Sequence, residues 1–168
     1  RKSIYTLIRI FCKAFEGNKD VGLVLKVNSG RDTLIDKQIT VDKIKQFVSH
    51  HRNGNFPHVH VIHGPADTID ICKLYKHKKI KAFISLTKGE GFGLPLLEAA
   101  AAGLPILATN WSSYLDFLNL TERSFIKLNY RLNNVPENRI DNRIFVKGAQ
   151  WAHVIEDDVI KKMKKLYE

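Results

Sequence analysis

The 168-residue sequence holds only two cysteines and one methionine, and no apolar run comes near the span of about 18 residues that a transmembrane helix needs. Cys12 and Cys72 each fall inside an apolar-periodic segment, so both are expected to be buried reduced thiols rather than halves of a disulfide. No charged-then-apolar leader ending in small residues precedes the first pattern, so no signal peptide is read and a cytoplasmic location is expected. Acid is also scarce: 17 Asp and Glu stand against 27 Lys and Arg, a formal charge of +10. That excess points to anionic partners, whether nucleotides, nucleic acid or an acidic membrane surface, without choosing among them. Repeats and low-complexity tracts are lacking too. What is present, 44% hydrophobic residues over this length, suffices for one core and one domain, residues 1–168.

The chain opens on a helical pattern with no initiator Met: Ile4, Leu7, Ile8, Phe11 and Phe15 recur at three- and four-residue steps. "VGLVLKV" then reads as a strand buried on both faces. Next come "TVDKIKQFVSHH" (helix), "HVHVI" (strand), "TIDICKLYKH" (helix), "KAFISL" (strand), "GLPLLEAAAAG" (helix capped by Gly103), "LPILAT" (strand) and "SSYLDFL" (short helix). Such alternation predicts an α/β, Rossmann-like doubly wound fold with a mainly parallel sheet. Because a fold of that kind starts with a strand, its first strand is expected to lie outside this chain. Beyond Leu120, "SFIKLNY" is read as a last strand, "RLNNVPENRIDNRI" as polar loop and "DDVIKKMKKLYE" as a helix opening at Asp157 or Asp158.

Ligands of open parallel sheets bind outside the carboxyl ends of the strands, which selects the loop between "KAFISL" and "GLPLLEAAAAG". Gly91, Phe92, Gly93 and Leu94 stand at the N-terminus of that helix, where open N–H groups and the helix dipole suit a diphosphate. Glu90 does not suit one, since a carboxylate beside a phosphate repels it by several kcal/mol, on the order given by Coulomb's law at low dielectric. Carboxylates do accept hydrogen bonds from sugar hydroxyls, and Glu98 lies roughly 10 Å further on at about 1.5 Å per helical residue. Two acids would thus flank one diphosphate, one at each sugar.

"EGFGLPLLE" matches the Glu-x7-Glu signature of the family 4 (group 1) retaining glycosyltransferases. The surrounding "SLTKGEGFGLPLLEAAAAGLPILATNWSSYLDFL" resembles their C-terminal donor-binding domain, half of a GT-B architecture, and both chain ends are similar to that domain's opening and closing segments. The resemblance implies transfer of a sugar from a nucleoside diphosphate sugar, with retained anomeric configuration and no bound metal or other cofactor. It assigns Glu90 to the transferred sugar's hydroxyls, Glu98 to the ribose, and the amides of Phe92, Gly93 and Leu94 to the diphosphate region. Lys2 matches a diphosphate-binding lysine, and the loop Gly64–Ala66 would pack against the base. The implied partners are an N-terminal acceptor domain of the same protein and a glycan or lipid-linked acceptor, with peripheral contact at the inner membrane surface. The family's phosphate-binding arginine and acceptor domain have no counterpart in this sequence, so the fragment alone is expected to transfer nothing. A non-catalytic nucleotide-sugar-binding or interaction module is the alternative.

Other features carry competing interpretations. The glycine loop could be an ordinary strand-to-helix turn, although its glycines at every second position do not form the dinucleotide fingerprint. Lys26, at a strand end, and Lys88, beside the loop, either face the ligand crevice or are simply exposed. His58, His60 and His63 lack a completing acid or thiol, so no metal site is expected. The basic runs "KLYKHKKIK" and "KKMKK" lack interleaved aromatics and read as solvated faces, so no nucleic-acid partner is expected. Trp111 and Trp151 are assigned to core or crevice.

Overall fold

The computed structural model describes residues 2–28, 30–120 and 125–168. Helix α1 (Ile4–Ala14) buries Leu7, Ile8, Phe11 and Cys12 along its apolar stripe. Strand β1 (Gly22–Val27) buries Leu23, Leu25 and Val27 on the α1 side. The intervening residues of β1 are only half-buried or exposed, so it alternates where the sequence led us to expect burial on both faces. Helix α2 (Leu34–His51) begins at a capping box in which Thr33 Oγ1 accepts from the Asp36 N–H and Asp36 accepts from the Thr33 N–H. It therefore starts well before Thr40, the first residue of the apolar pattern. Leu34 and Ile35 in its first turn are exposed, so burial does not mark that turn.

Strand β2 (His58–His63) is followed by α3 (Thr68–Tyr75), capped by Asp67, whose side chain accepts from the Asp70 N–H at 2.7 Å. Next come β3 (Phe83–Ser85), α4 (Leu94–Ala101), β4 (Ile106–Thr109), α5 (Leu115–Leu118) and β5 (Phe125–Leu128). Gly103, at φ 82°, ends α4 by returning its N–H to Ala100 O, and Leu104 N–H bonds Ala99 O. The chain closes with β6 (Tyr130–Asn134), β7 (Gln150–Val154) and α6 (Glu156–Tyr167).

The strands form three ladders: β1 with β2 in parallel, β3 with β4 and β5 in parallel, and β6 with β7 antiparallel. The architecture is α/β with helices on both faces of parallel strands, a Rossmann-like arrangement. One expectation changes, because the parallel strands are two ladders rather than one sheet. On one face α1 packs between α2 and α6, α2 against β2 and α6 against β5. One core there joins Leu23, Leu25 and Val27 to Leu86, Leu107 and Leu128, so α1 bridges the two ladders although no hydrogen bonds join β1 to β3 among the described residues. On the opposite face α4 and α5 cover β4 with Leu96, Ala99, Tyr114 and Leu118 against Ile106 and Ala108. All four residues of β4 are buried.

Three further expectations are corrected. Cys12 is buried, but Cys72 is exposed, because α3 buries none of its residues. The segment read as polar loop after Tyr130 begins as β6, whose mostly exposed side chains show no apolar alternation and whose partner β7 is remote in sequence. Helix α6 opens at Glu156, and Asp158 instead accepts from the Asn129 N–H at 2.8 Å and pairs with Lys162. Among the described residues no helix is long and apolar enough to cross a membrane.

Candidate functional site

The loop from Thr87 to Gly93 is held from below by hydroxyl groups. Thr87 and Thr109 are both fully buried, and Thr109 Oγ1 donates to Thr87 O at 3.0 Å, tying the end of β3 to the end of β4. Tyr114, also fully buried, donates its phenol to Thr109 O at 2.7 Å, and burial pushes that phenol's pKa well up. Ser112 grips the Glu90 backbone twice: its Oγ accepts from Glu90 N at 2.9 Å and donates to Glu90 O at 2.7 Å. Ser113 Oγ donates to the same carbonyl at 3.0 Å. Ser112 reaches this position with φ 103°, a conformation that costs a non-glycine residue on the order of 1–3 kcal/mol and is held by its surroundings.

The Glu90 side chain is 9% exposed, with Oε1 at 2.7 Å from Lys2 Nζ and 3.1 Å from Thr87 Oγ1. An acid this buried needs such partners to stay ionised. Lys2 therefore lies in the loop's immediate surroundings although it is far away in sequence.

Gly93 is the N-cap of α4 at φ 87°, and a Cβ placed on it would stand 3.1 Å from both Leu96 Cδ1 and Tyr114 Cβ. Glycine is required here by conformation and by space. Gly89 and Gly91 differ, since a Cβ on either would meet nothing within 4 Å. The N–H groups of Gly91, Phe92, Gly93 and Leu94 donate to no acceptor among the described residues. Four consecutive open donors thus stand at the positive end of α4. Phe92, 57% exposed, tilts against Phe117 with ring centres 5.6 Å apart.

Glu98 shares a face of α4 with Leu94, four residues earlier; its carbonyl accepts the Ala102 N–H, and its side chain makes no hydrogen bond or ion pair among the described residues. Tyr75 is nearby: burial, then the charges of Glu98 and Cys72, push its phenol up to about 12. Lys26 and the loop Gly64–Ala66 meet at the carboxyl ends of β1 and β2, where Lys26 Nζ donates to Gly64 O and Gly64 N–H bonds Val27 O at 3.2 Å. Ala66 is exposed just ahead of the α3 cap. Lys88 turns toward the β6–β7 hairpin, with its ammonium 4.8 Å from the Trp151 ring centre. Burial and the neighbouring Arg139 hold that ammonium below the usual lysine range. His58 and His60 share one face of β2 and His63 lies on the other. Among the described residues no group of three or more His, Cys, Asp or Glu could hold a metal ion.

Sequence reasoning found the glycine loop and its two acids but missed Thr87, Thr109, Ser112, Ser113 and Tyr114. The run "TNWSSY", which starts on the last residue of β4, was the available signal, because hydroxyl-bearing residues at and after a strand end sit beside the neighbouring strand's loop.

The model of the group 1 glycosyl transferases matches residues 35–130, which include the whole loop and α4. The chain belongs to this family. A crystal structure described as the GtfA/B complex is similar to this group 1 domain with a TM-score of 0.51 and 15% identity, which shows a shared fold. The similarity covers 91% of this chain and 30% of that one, so the group 1 domain spans under a third of the other chain. No curated protein matches the sequence. Within the domain, glycosyl transfer in general is the family's chemistry, and the open amides beside Glu90 lie inside the matched span.

Proposed function

We propose that this chain is the donor-binding domain of a retaining glycosyltransferase and holds a nucleoside diphosphate sugar at the β3–α4 loop. The observation that supports this most is the run of four open amides from Gly91 to Leu94 with a carboxylate on either side. The amides donate to the diphosphate, and their fixed dipoles stabilise the charge that grows on it as the sugar departs. Glu90 accepts hydrogen bonds from the transferred sugar's hydroxyls, and Glu98 from the ribose. Lys2, at 2.7 Å from Glu90, offsets the repulsion an acid beside a diphosphate would otherwise create and offers it a cation. The Gly64–Ala66 loop and Lys26 lie toward the nucleoside end. Nothing in this scheme calls for a metal ion or another cofactor.

Complete transfer needs an acceptor domain from the same protein and a glycan or lipid-linked acceptor, reached in the cytoplasm or at the inner membrane surface. The isolated chain binds donor and does not turn over. Calorimetric titration with a series of nucleoside diphosphates, repeated on Glu98→Ala, tests the assignment. Loss of hydrogen bonds to a charged group, about 1.5–3 kcal/mol, predicts roughly 10- to 100-fold weaker binding. Unchanged affinity in Glu98→Ala contradicts the ribose role, and no binding by the parent chain contradicts the donor site.

A further inference from the structure

Beside the glycine loop the β6–β7 hairpin gathers positive charge on one face. Arg131 pairs directly with His153 and Asn133 with Trp151, so these four residues share a face of the antiparallel ladder. Lys88 joins them from below, with its ammonium 4.8 Å from the Trp151 ring centre and its carbonyl accepting the Ala152 N–H at 3.1 Å. Phe145 meets Trp151 edge-on at 5.3 Å. The indole is 9% exposed, and its Nε1–H is buried with no partner among the described residues. A buried donor left unpaired costs about 1–3 kcal/mol, which an acceptor atom at that spot would recover.

We propose that Lys88, Arg131, Arg139, His153 and the Trp151 indole N–H form a subsite for an anionic group carried by a sugar, either a carboxylate or a phosphate ester. Lys88 leads straight into Gly89 and Glu90, so the subsite adjoins the place given above to the transferred sugar and rests on that assignment for its role in transfer. The positive groups disfavour one another's charge: burial and then Arg139 hold the Lys88 ammonium low, and burial and then Lys88 hold the His153 imidazole low, which favours its neutral ring, still able to donate an N–H. Acids of the region are engaged elsewhere or stand apart. Asp141 accepts from the N–H groups of Arg143, Ile144 and Phe145 at 2.9, 2.8 and 2.9 Å, and Glu90 faces Lys2. Glu137 is exposed on the turn that also carries Arg139. A sugar-borne anion would relieve the mutual repulsion and accept from the indole at once.

The two tryptophans give two indole N–H signals in a nitrogen–proton correlation spectrum, and Trp111→Phe assigns them. At constant ionic strength the full chain is titrated with glucuronate, glucose 6-phosphate and glucose. Expected is a saturable shift of the Trp151 indole signal with one or both anionic sugars and none with glucose, the stronger arm telling carboxylate from phosphate ester. Arg131→Gln with Arg139→Gln should weaken that response at least about fivefold while leaving the response of the glycine-loop amides to a nucleoside diphosphate intact. No shift with either anion, or an equal shift with glucose, overturns the subsite. Silence of the glycine-loop amides toward nucleoside diphosphates would instead count against the donor site, so the two failures are separable.

Discussion

Gly91 and Gly93 sit two residues apart in one loop, yet the structure demands opposite outcomes when each is replaced by alanine. At Gly93, φ 87° lies in the left-handed region, where a Cβ costs about 1–2 kcal/mol. Here the methyl would also stand 3.1 Å from Leu96 Cδ1 and Tyr114 Cβ and 3.3 Å from Tyr114 Cδ1. Tyr114 is fully buried and hydrogen-bonded to Thr109 O, so it cannot yield freely, and crowding adds about 1 kcal/mol or more. Stiffening of the unfolded chain returns only about 0.4–1 kcal/mol. Gly93→Ala should therefore lose roughly 1–3 kcal/mol, which is about 2–12 °C in Tm for a domain of this size. Gly91→Ala places a methyl where no atom lies within 4 Å and should stay within about 0.5 kcal/mol of the parent. Its methyl would occupy the space a diphosphate needs to approach the amides, so its nucleoside diphosphate affinity should fall at least about tenfold. Urea melts and calorimetry on both variants provide the assay. A Gly93→Ala protein as stable as the parent would refute the packing argument, and a Gly91→Ala protein that binds normally would refute the ligand's path.

Tyr114→Phe removes one of two donors to Thr109 O, which keeps the Trp111 N–H at 2.7 Å, so urea denaturation should show a loss of about 0.5–1.5 kcal/mol. An unchanged midpoint would mean that the phenol does not brace the loop. Arg9 and Glu156 tie α1 to α6 through two charged hydrogen bonds, which hold the Glu156 carboxyl below its ordinary value of 4.5. A depressed carboxyl stabilises fully above its unfolded pKa and loses that stabilisation as pH falls through the folded value. Glu156→Gln should accordingly flatten the decline of Tm below about pH 4.5, while at neutral pH it costs no more than about 1 kcal/mol because both side chains are over a third exposed. A parallel decline in parent and variant would count against the pair. Ser112→Ala frees both hydrogen bonds to the Glu90 backbone and should weaken nucleoside diphosphate binding several-fold with the fold retained. Equal affinity would remove Ser112 from the loop's support.

Much of this architecture was legible before the structure because it rests on local signals. The strand–helix alternation and Gly103 follow from periodicity and backbone conformation, and the open loop follows from glycines after a strand. What was not legible depends on distant pairings. Strand β6 keeps an exposed, polar face and exists because β7 lies opposite, and the gap between the β1 and β3 ladders shows only once α1 is seen to bridge them. Cys72 looked buried because it sits in an apolar pattern, yet α3 lies too loosely on the sheet to bury it. Lys88 could have faced either way along the chain, and Trp151, remote in sequence, decides that it turns to the hairpin. The hydroxyls under the glycine loop were equally hidden, since Ser112 and Tyr114 matter through what β4 brings beside β3.

The central claim is that the open amides of the β3–α4 loop receive a diphosphate, and amide chemical shifts test it most directly. On titration with nucleoside diphosphates, the Gly91, Phe92, Gly93 and Leu94 amide signals should move together and saturably, with Glu98 neighbours following and the α6 signals unmoved. Shifts confined to other surfaces, or none for the full series of nucleoside diphosphates, would contradict it.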